Sequence, residues 1–136
     1  MLNGEYDIES VESLQDSYFD PYSPNLFITS LSCSLVGQTR NILLKENTKV
    51  YDIYNEASIE ERYNCSFGLN KKLQMDLDRA GFKVVGSDES GEARIMMIEE
   101  NHFFVATLFQ PQLSSTYDIP HPLLLAYLEN VNSFKK

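Results

Sequence analysis

The chain has 136 residues, 43% of them hydrophobic, which suits one domain and is too short for two. Eleven basic against twenty acidic side chains leave a net charge of −9, which argues against binding a phosphate backbone, so no nucleic-acid partner is expected. Two cysteines, Cys33 and Cys65, make no disulfide framework and read as small buried thiols. No basic segment followed by an apolar stretch opens the chain, and no apolar run approaches the ~20 residues of a membrane span. A cytoplasmic protein without a membrane partner is the expectation.

In chain order, residues 1–25 form an acidic N-terminal segment and turn. Tyr6, Ile8, Val11 and Leu14 recur at roughly helical spacing, and "DPYSPN" (Asp20–Asn25) is dense in turn residues. "LFITSLSCSLVG" (Leu26–Gly37) is rich in β-branched and apolar residues and reads as strand, as does Asn41–Leu44. "NTKVYDIYN" reads as a short helix capped by Thr48. A clearer helix is "NKKLQMDLDRAG": Asn70 suits the N-cap, Leu73, Leu77 and Ala80 line one side, and Gly81 suits the left-handed C′ position. "FKVVGS" and "ARIMMIE" flank "DESG" as a β-hairpin, with Asp88, Glu89 and Glu92 read as a solvated turn. "HFFVATLF" is apolar throughout, the pattern of a strand buried on both faces. The last helix opens at Pro122, with Leu123, Ala126, Tyr127 and Asn130 along one side.

These segments carry a resemblance. "EERYNCSFGLN", "GFKVVGSDESGEARIMMIEENHFFVATLFQPQLSS" and "PHPLLLAYLENV" resemble, in order and register, the C-terminal half of the class I glutamine amidotransferase domain of CTP synthase. That domain has E-R-H-R-H-R-Y-E-x-N, then a strand ending F-H-P-E, then P-H-P-L. Glu61, Arg62, Asn70, Phe109, Pro111, Pro120, His121, Pro122 and Leu123 match it. "FDPYSPNLF", "SCSLVGQ" and "FGLN" also resemble a set of bacterial proteins described as related to the CTP synthase C-terminal region. The resemblance spans roughly Asp20 to Phe134. It implies an α/β fold: the C-terminal half of a flavodoxin-like three-layer domain, with a mixed sheet, a β-hairpin and helices. Residues 1–136 are then one partial amidotransferase-like domain.

In active members a Cys on a strand-to-helix elbow attacks the glutamine amide, a His takes the proton and a Glu orients the His. The resemblance puts that His at Gln110 and that Glu at Gln112. Amides exchange no protons near neutral pH. The motif's arginines become Asn64 and Ser66 and its histidines Tyr63 and Cys65, leaving Arg62 as its one cation. "SLVG" (Ser34–Gly37) likewise lacks the arginine of the family's M-R-L-G. The elbow would fall just upstream of Met1, and Cys33 in "LSCSL" has no G-x-C-x-G turn to replace it.

No catalytic residue is therefore expected in this chain. Gln110 and Gln112 are degenerate catalytic positions, and Arg62, Asn64, Cys65 and Ser66 are the candidate pocket for an unknown small molecule. Cys65 in that loop also admits a reactive thiol beside Arg62. His121, between two prolines, reads as structural, and His102 as an exposed turn residue. The two histidines and two cysteines lack metal-ligand spacing, so neither metal nor cofactor is expected. The functional expectation is a binding or regulatory module without glutaminase activity. The alternative is the C-terminal half of a longer enzyme whose elbow lies upstream. A domain cut through its sheet leaves an open edge and a bare apolar face, so either a homodimer or a missing N-terminal half is expected to cover them.

Overall fold

The computed structural model describes residues 26–134; the expected helical spacing from Tyr6 to Leu14 lies outside them. Among the described residues seven strands and three α-helices follow one another: β1 (Ile28–Ser30), β2 (Thr39–Leu44), α1 (Lys49–Tyr54), β3 (Ser58–Arg62), β4 (Phe67–Leu69), α2 (Lys71–Arg79), β5 (Phe82–Ser87), β6 (Ala93–Ile98), β7 (Val105–Thr107) and α3 (Pro122–Phe134). A 3-10 turn, Pro111–Leu113, precedes α3. Five strands make one sheet in the order β3-β2-β5-β6-β7, and β1 pairs with β4 apart from it. Every pairing among the described residues is antiparallel. The α/β class and the β5–β6 hairpin agree with the sequence; the parallel part of a mixed sheet is not among these residues.

Local chemistry sets the boundaries. The Thr48 hydroxyl accepts the Tyr51 N–H at 3.2 Å and donates to the Lys45 carbonyl at 2.7 Å, closing the first turn of α1. Asn55, at φ 54°, ends it. Asn70 caps α2 by accepting the Lys72 N–H, and Gly81 follows at φ +100°. In the hairpin, the register shifts around Gly86. A side chain there would put its Cβ 2.9 Å from Ile95 Cγ1 and 3.1 Å from Ile42 Cγ2, so the bulge and the glycine belong together.

Two strand expectations need correction. Of residues 26–37 only Ile28–Ser30 is strand. Beyond it the chain follows residues 63–66 through isolated bonds, Leu31 N–H to Ser66 O at 2.8 Å, Leu35 N–H to Cys65 O at 2.9 Å and Gly37 N–H to Tyr63 O at 3.0 Å, without a regular ladder. Burial of Leu35 anchors that crossing. Of 102–109 only Val105–Thr107 is strand, at the edge of the sheet and half-buried. The strand buried along its length is β6, covered by neighbours on both sides. Periodicity alone cannot separate an apolar edge from an apolar centre.

The core gathers Ile42 and Leu44 of β2, Ile59 of β3, Val85 and Ile95 of the hairpin, Val50 of α1, Leu123 of α3, and Tyr63 and Phe109. α1 and α3 pack together against this side. Leu73 and Leu77 of α2 are half-buried, Ala80 is exposed, and no residue of that helix is fully buried.

Candidate functional site

β3 alternates exposed and buried residues, which drives Ile59 and Glu61 into the core. A carboxylate delivered inward by strand period needs partners, and Glu61, 3% exposed, has three. Tyr54 donates its hydroxyl to Glu61 Oε1 at 2.7 Å, and His121 Nε2 stands 2.6 Å from the same oxygen. Ser114 donates to Oε2 at 3.4 Å. His121 is 4% exposed, and its Nδ1 accepts the Leu123 N–H at 3.1 Å. That bond leaves the proton on Nε2, so the imidazole is the neutral tautomer donating to Glu61. Burial, then the bond to Glu61, pushes the Tyr54 phenol far above its ordinary value. His121 also donates its backbone N–H to Ser115 Oγ at 3.0 Å.

The same stretch of β3 holds the turn that carries the two glutamines. Arg62 donates from its guanidinium to the Leu113 carbonyl at 3.3 Å and accepts the Gln110 N–H at its own carbonyl at 3.4 Å. The Gln110 side-chain oxygen accepts the Asn64 N–H at 2.8 Å. Gln110 is half-buried, Pro111 starts the turn and Gln112 is exposed. Arg62 and Asn64 thus meet Gln110 directly. The other two candidate pocket residues do not: Cys65 points its thiol at the Leu108 carbonyl, 3.5 Å away, and Ser66 pairs its hydroxyl with that of Ser34 at 2.9 Å.

The Cys33 expectation changes, and Cys65 loses its reactive alternative. Cys33 is exposed, because its segment is an irregular crossing and not a strand. Cys65 is half-buried, and burial raises its thiol above the ordinary value, the opposite of an activated nucleophile. The cation whose field reaches it is Arg94. His102 is exposed as expected; its carbonyl accepts from Lys49 and Asn130, and its ring lies edge-on to Phe134 at 4.4 Å. Among the described residues no group of three or more His, Cys, Asp or Glu side chains could hold a metal ion.

Arg94 escaped the sequence reading, which took the hairpin acids as solvated. It is buried in β6 and donates to Asp88 at 2.7 Å and Glu92 at 3.2 Å. Burial pulls the Asp88 carboxyl upward, but the Glu92 N–H, the Ser90 hydroxyl, Arg94 and the Ser90 N–H together hold it below the ordinary carboxylate range. Of the three acids only Glu89 is exposed; Asp88 and Glu92 are half-buried. Beside this ion pair lies a cleft of about 460 Å³, lined among others by Cys33, Arg40, Asn41 and Arg94. None of Arg62, Asn64, Cys65 and Ser66 lines it. Tyr63 stacks edge-on against Phe109 at 6.0 Å, and its buried hydroxyl has no hydrogen-bond partner among the described residues.

Chemically, His121 is a fixed donor with both ring nitrogens engaged, and among the described residues neither the Cys33 nor the Cys65 thiol is hydrogen-bonded to an imidazole. Sequence reasoning placed His121 correctly as structural but missed Glu61 and Tyr54 as its partners. The signal was there: an acid at an inward slot of an alternating strand, two residues from Ile59.

No protein-family model matches the chain. It is 29% identical over 123 residues to the CTP synthase of Bacteroides fragilis, covering 90% of this chain and 23% of that enzyme. Against the CTP synthase of Saccharolobus solfataricus it is 32% identical over 106 residues, 78% of this chain and 20% of that enzyme. Its fold matches the glutaminase domain of Trypanosoma brucei CTP synthase, solved with bound acivicin, at a TM-score of 0.75 and 18% identity. That match covers 85% of this chain and 49% of the domain. The chain thus spans less than a quarter of the length of these two curated relatives. In sequence, over most of its own length, the chain is similar to part of CTP synthase, and it has the fold of the CTP synthase glutaminase domain, the class I glutamine amidotransferase fold.

Proposed function

We propose that this chain is a glutaminase-fold module that does not hydrolyse glutamine and serves as a binding or regulatory protein. The observation that carries the reading is Gln110. The sequence resemblance sets it against the family's catalytic imidazole, and its side-chain oxygen accepts the Asn64 N–H at 2.8 Å. A carboxamide in that bond neither takes a proton from a thiol nor returns one to a leaving amine. Gln112, matched to the orienting carboxylate, is neutral as well. Loss of triad members costs several orders of magnitude in rate. Arg62, Asn64 and the two amides offer a cation and neutral hydrogen-bonding groups around one turn, a set suited to a small polar ligand. Ammonia release from glutamine tests the reading: a rate equal to buffer is expected, and a rate clearly above buffer ends it.

A second reading is that the chain is the C-terminal half of a longer amidotransferase-like protein whose nucleophile elbow lies upstream. Its support is the coverage of 49% of the matched domain against 85% of this chain. The intact mass of the protein taken from its own cells decides it. A mass near 15.6 kDa rejects the longer chain, and a mass near that of a whole domain of ~220 residues supports it.

A further inference from the structure

The tip of the β5–β6 hairpin holds one guanidinium in place. Asp88 Oδ1 accepts the Ser90 N–H and hydroxyl, each at 3.0 Å, and the Glu92 N–H at 2.9 Å, while Oδ2 takes Arg94. α2 braces the same turn. Gln74 donates to the Gly91 carbonyl at 2.9 Å and accepts the Ala93 N–H at 3.0 Å, and Lys71 donates to the Ser90 carbonyl at 3.2 Å. Arg94 is 8% exposed, and both its carboxylate contacts leave from Nη2. The N–H groups on Nε and Nη1 meet no acceptor among the described residues. They are not sealed in the interior, because the Tyr63 hydroxyl is the one buried side-chain polar atom among those residues without a partner. A fixed cation with open donors reached by solvent is prepared for an anionic acceptor.

Arg94 lines the cleft of about 460 Å³ between the hairpin tip and the crossing segment, a volume that takes a small organic molecule. Arg40 of β2, exposed, adds a second cation to that lining, and Leu31 and Leu35 add apolar surface. Asp88, Glu89 and Glu92 outnumber the two arginines there, so a doubly charged phosphate is repelled where a single carboxylate is held. Arg94 also borders an apolar cavity of about 130 Å³ beside Ile28 and Phe82, but no second cation lines that one. We infer that the 460 Å³ cleft is a binding site for a small monocarboxylate with an apolar body, its carboxylate bridging Arg94 and Arg40 and its body lying against Leu31 and Leu35. Neither Gln110 nor Gln112 lines the cleft, so this site is separate from the Gln110 turn and stands without it.

Cys33 lines the same cleft and is exposed, so its alkylation reports occupancy, with Cys65 outside the cleft as internal reference. On the full chain at constant ionic strength, sodium benzoate is expected to slow Cys33 labelling at least ~5-fold relative to Cys65. The effect is expected to saturate, half-maximal near ~1 mM, ordinary for so small a ligand. Benzamide, which has the shape without the charge, and inorganic phosphate are expected to leave the ratio unchanged. Arg40→Gln, at an exposed position, is expected to weaken protection at least ~5-fold. Arg94→Lys keeps the buried charge without the planar guanidinium and is expected to weaken it ~10-fold; if circular dichroism shows that variant unfolded, Arg40→Gln alone decides. No protection at ~20 mM benzoate, equal protection by benzamide, stronger protection by phosphate, or undiminished protection in either folded variant overturns the proposal. The readout involves no glutamine turnover, so the absence of glutaminase activity stands or falls separately.

Discussion

Replacing Glu61 probes the buried network most sharply. Its carboxylate accepts two short bonds, from His121 at 2.6 Å and Tyr54 at 2.7 Å, and a long one from Ser114 at 3.4 Å. Each short bond to a charged acceptor contributes about 1.5–3 kcal/mol. Glu61→Ala removes both and strands a buried donor on His121 and a half-buried one on Tyr54. Tyr54 and His121 are 3.4 Å apart and recover part of the loss by bonding each other. The net cost comes to about 4 kcal/mol, the two bonds to the carboxylate less what the Tyr54–His121 contact returns. Against a total stability of about 5–15 kcal/mol, such a variant sits near the edge of folding. Glu61→Gln keeps the shape and one acceptor oxygen for both short bonds, and lets its amide face the Ser114 oxygen. It loses charge assistance only, about 1–2 kcal/mol. Urea unfolding of the purified variants, compared at a common slope, measures both values. A cost for Glu61→Ala below about 1 kcal/mol, or a Gln variant as damaged as the Ala variant, refutes the network as described.

Other outcomes follow from the same geometry. Alkylation of the native chain at mildly alkaline pH is expected to modify exposed Cys33 at least ~10-fold faster than half-buried Cys65, whose thiol burial holds above its ordinary value; peptide mapping reads the ratio. Asp88→Asn is expected to cost about 2 kcal/mol at neutral pH by weakening the hold on buried Arg94. Because the folded carboxyl is depressed, that advantage is present above the ordinary Asp value of ~3.9 and lost as pH falls through the folded value. Wild-type and variant stabilities therefore converge in acid, and parallel curves there contradict the assignment. Gly86→Ala is expected to destabilise by roughly 2 kcal/mol in thermal unfolding, since its Cβ crowds Ile95 and Ile42 in the core.

Much of the fold was legible because local chemistry and tertiary structure agree. Thr48, Asn70 and Gly81 mark helix ends by hydrogen bonding and backbone conformation, and the structure uses them that way. The hairpin shows in its turn residues between two β-rich runs. What failed depended on neighbours distant in sequence. Residues 31–37 have strand composition, but they meet residues 63–66 through isolated bonds, so composition met no ladder. Phe103 and Phe104 look like part of a buried strand, whereas the order β3-β2-β5-β6-β7 puts β7 at the edge and β6 inside it. The site divides along the same line. The identities of Gln110 and Gln112 come straight from the sequence, whereas Asn64 anchoring Gln110 is a contact across 46 positions. Likewise Arg94 reaches its acids only once the hairpin has formed.

The central claim is that the Gln110 turn performs no proton transfer on glutamine. The direct measurement is ammonia release from glutamine by the protein in its native form, purified from its own cells, beside Gln110→Ala and Gln112→Ala variants made the same way. The account predicts a rate equal to buffer for all three. Release by the native form that either substitution abolishes would contradict it and make the amide pair part of a working site.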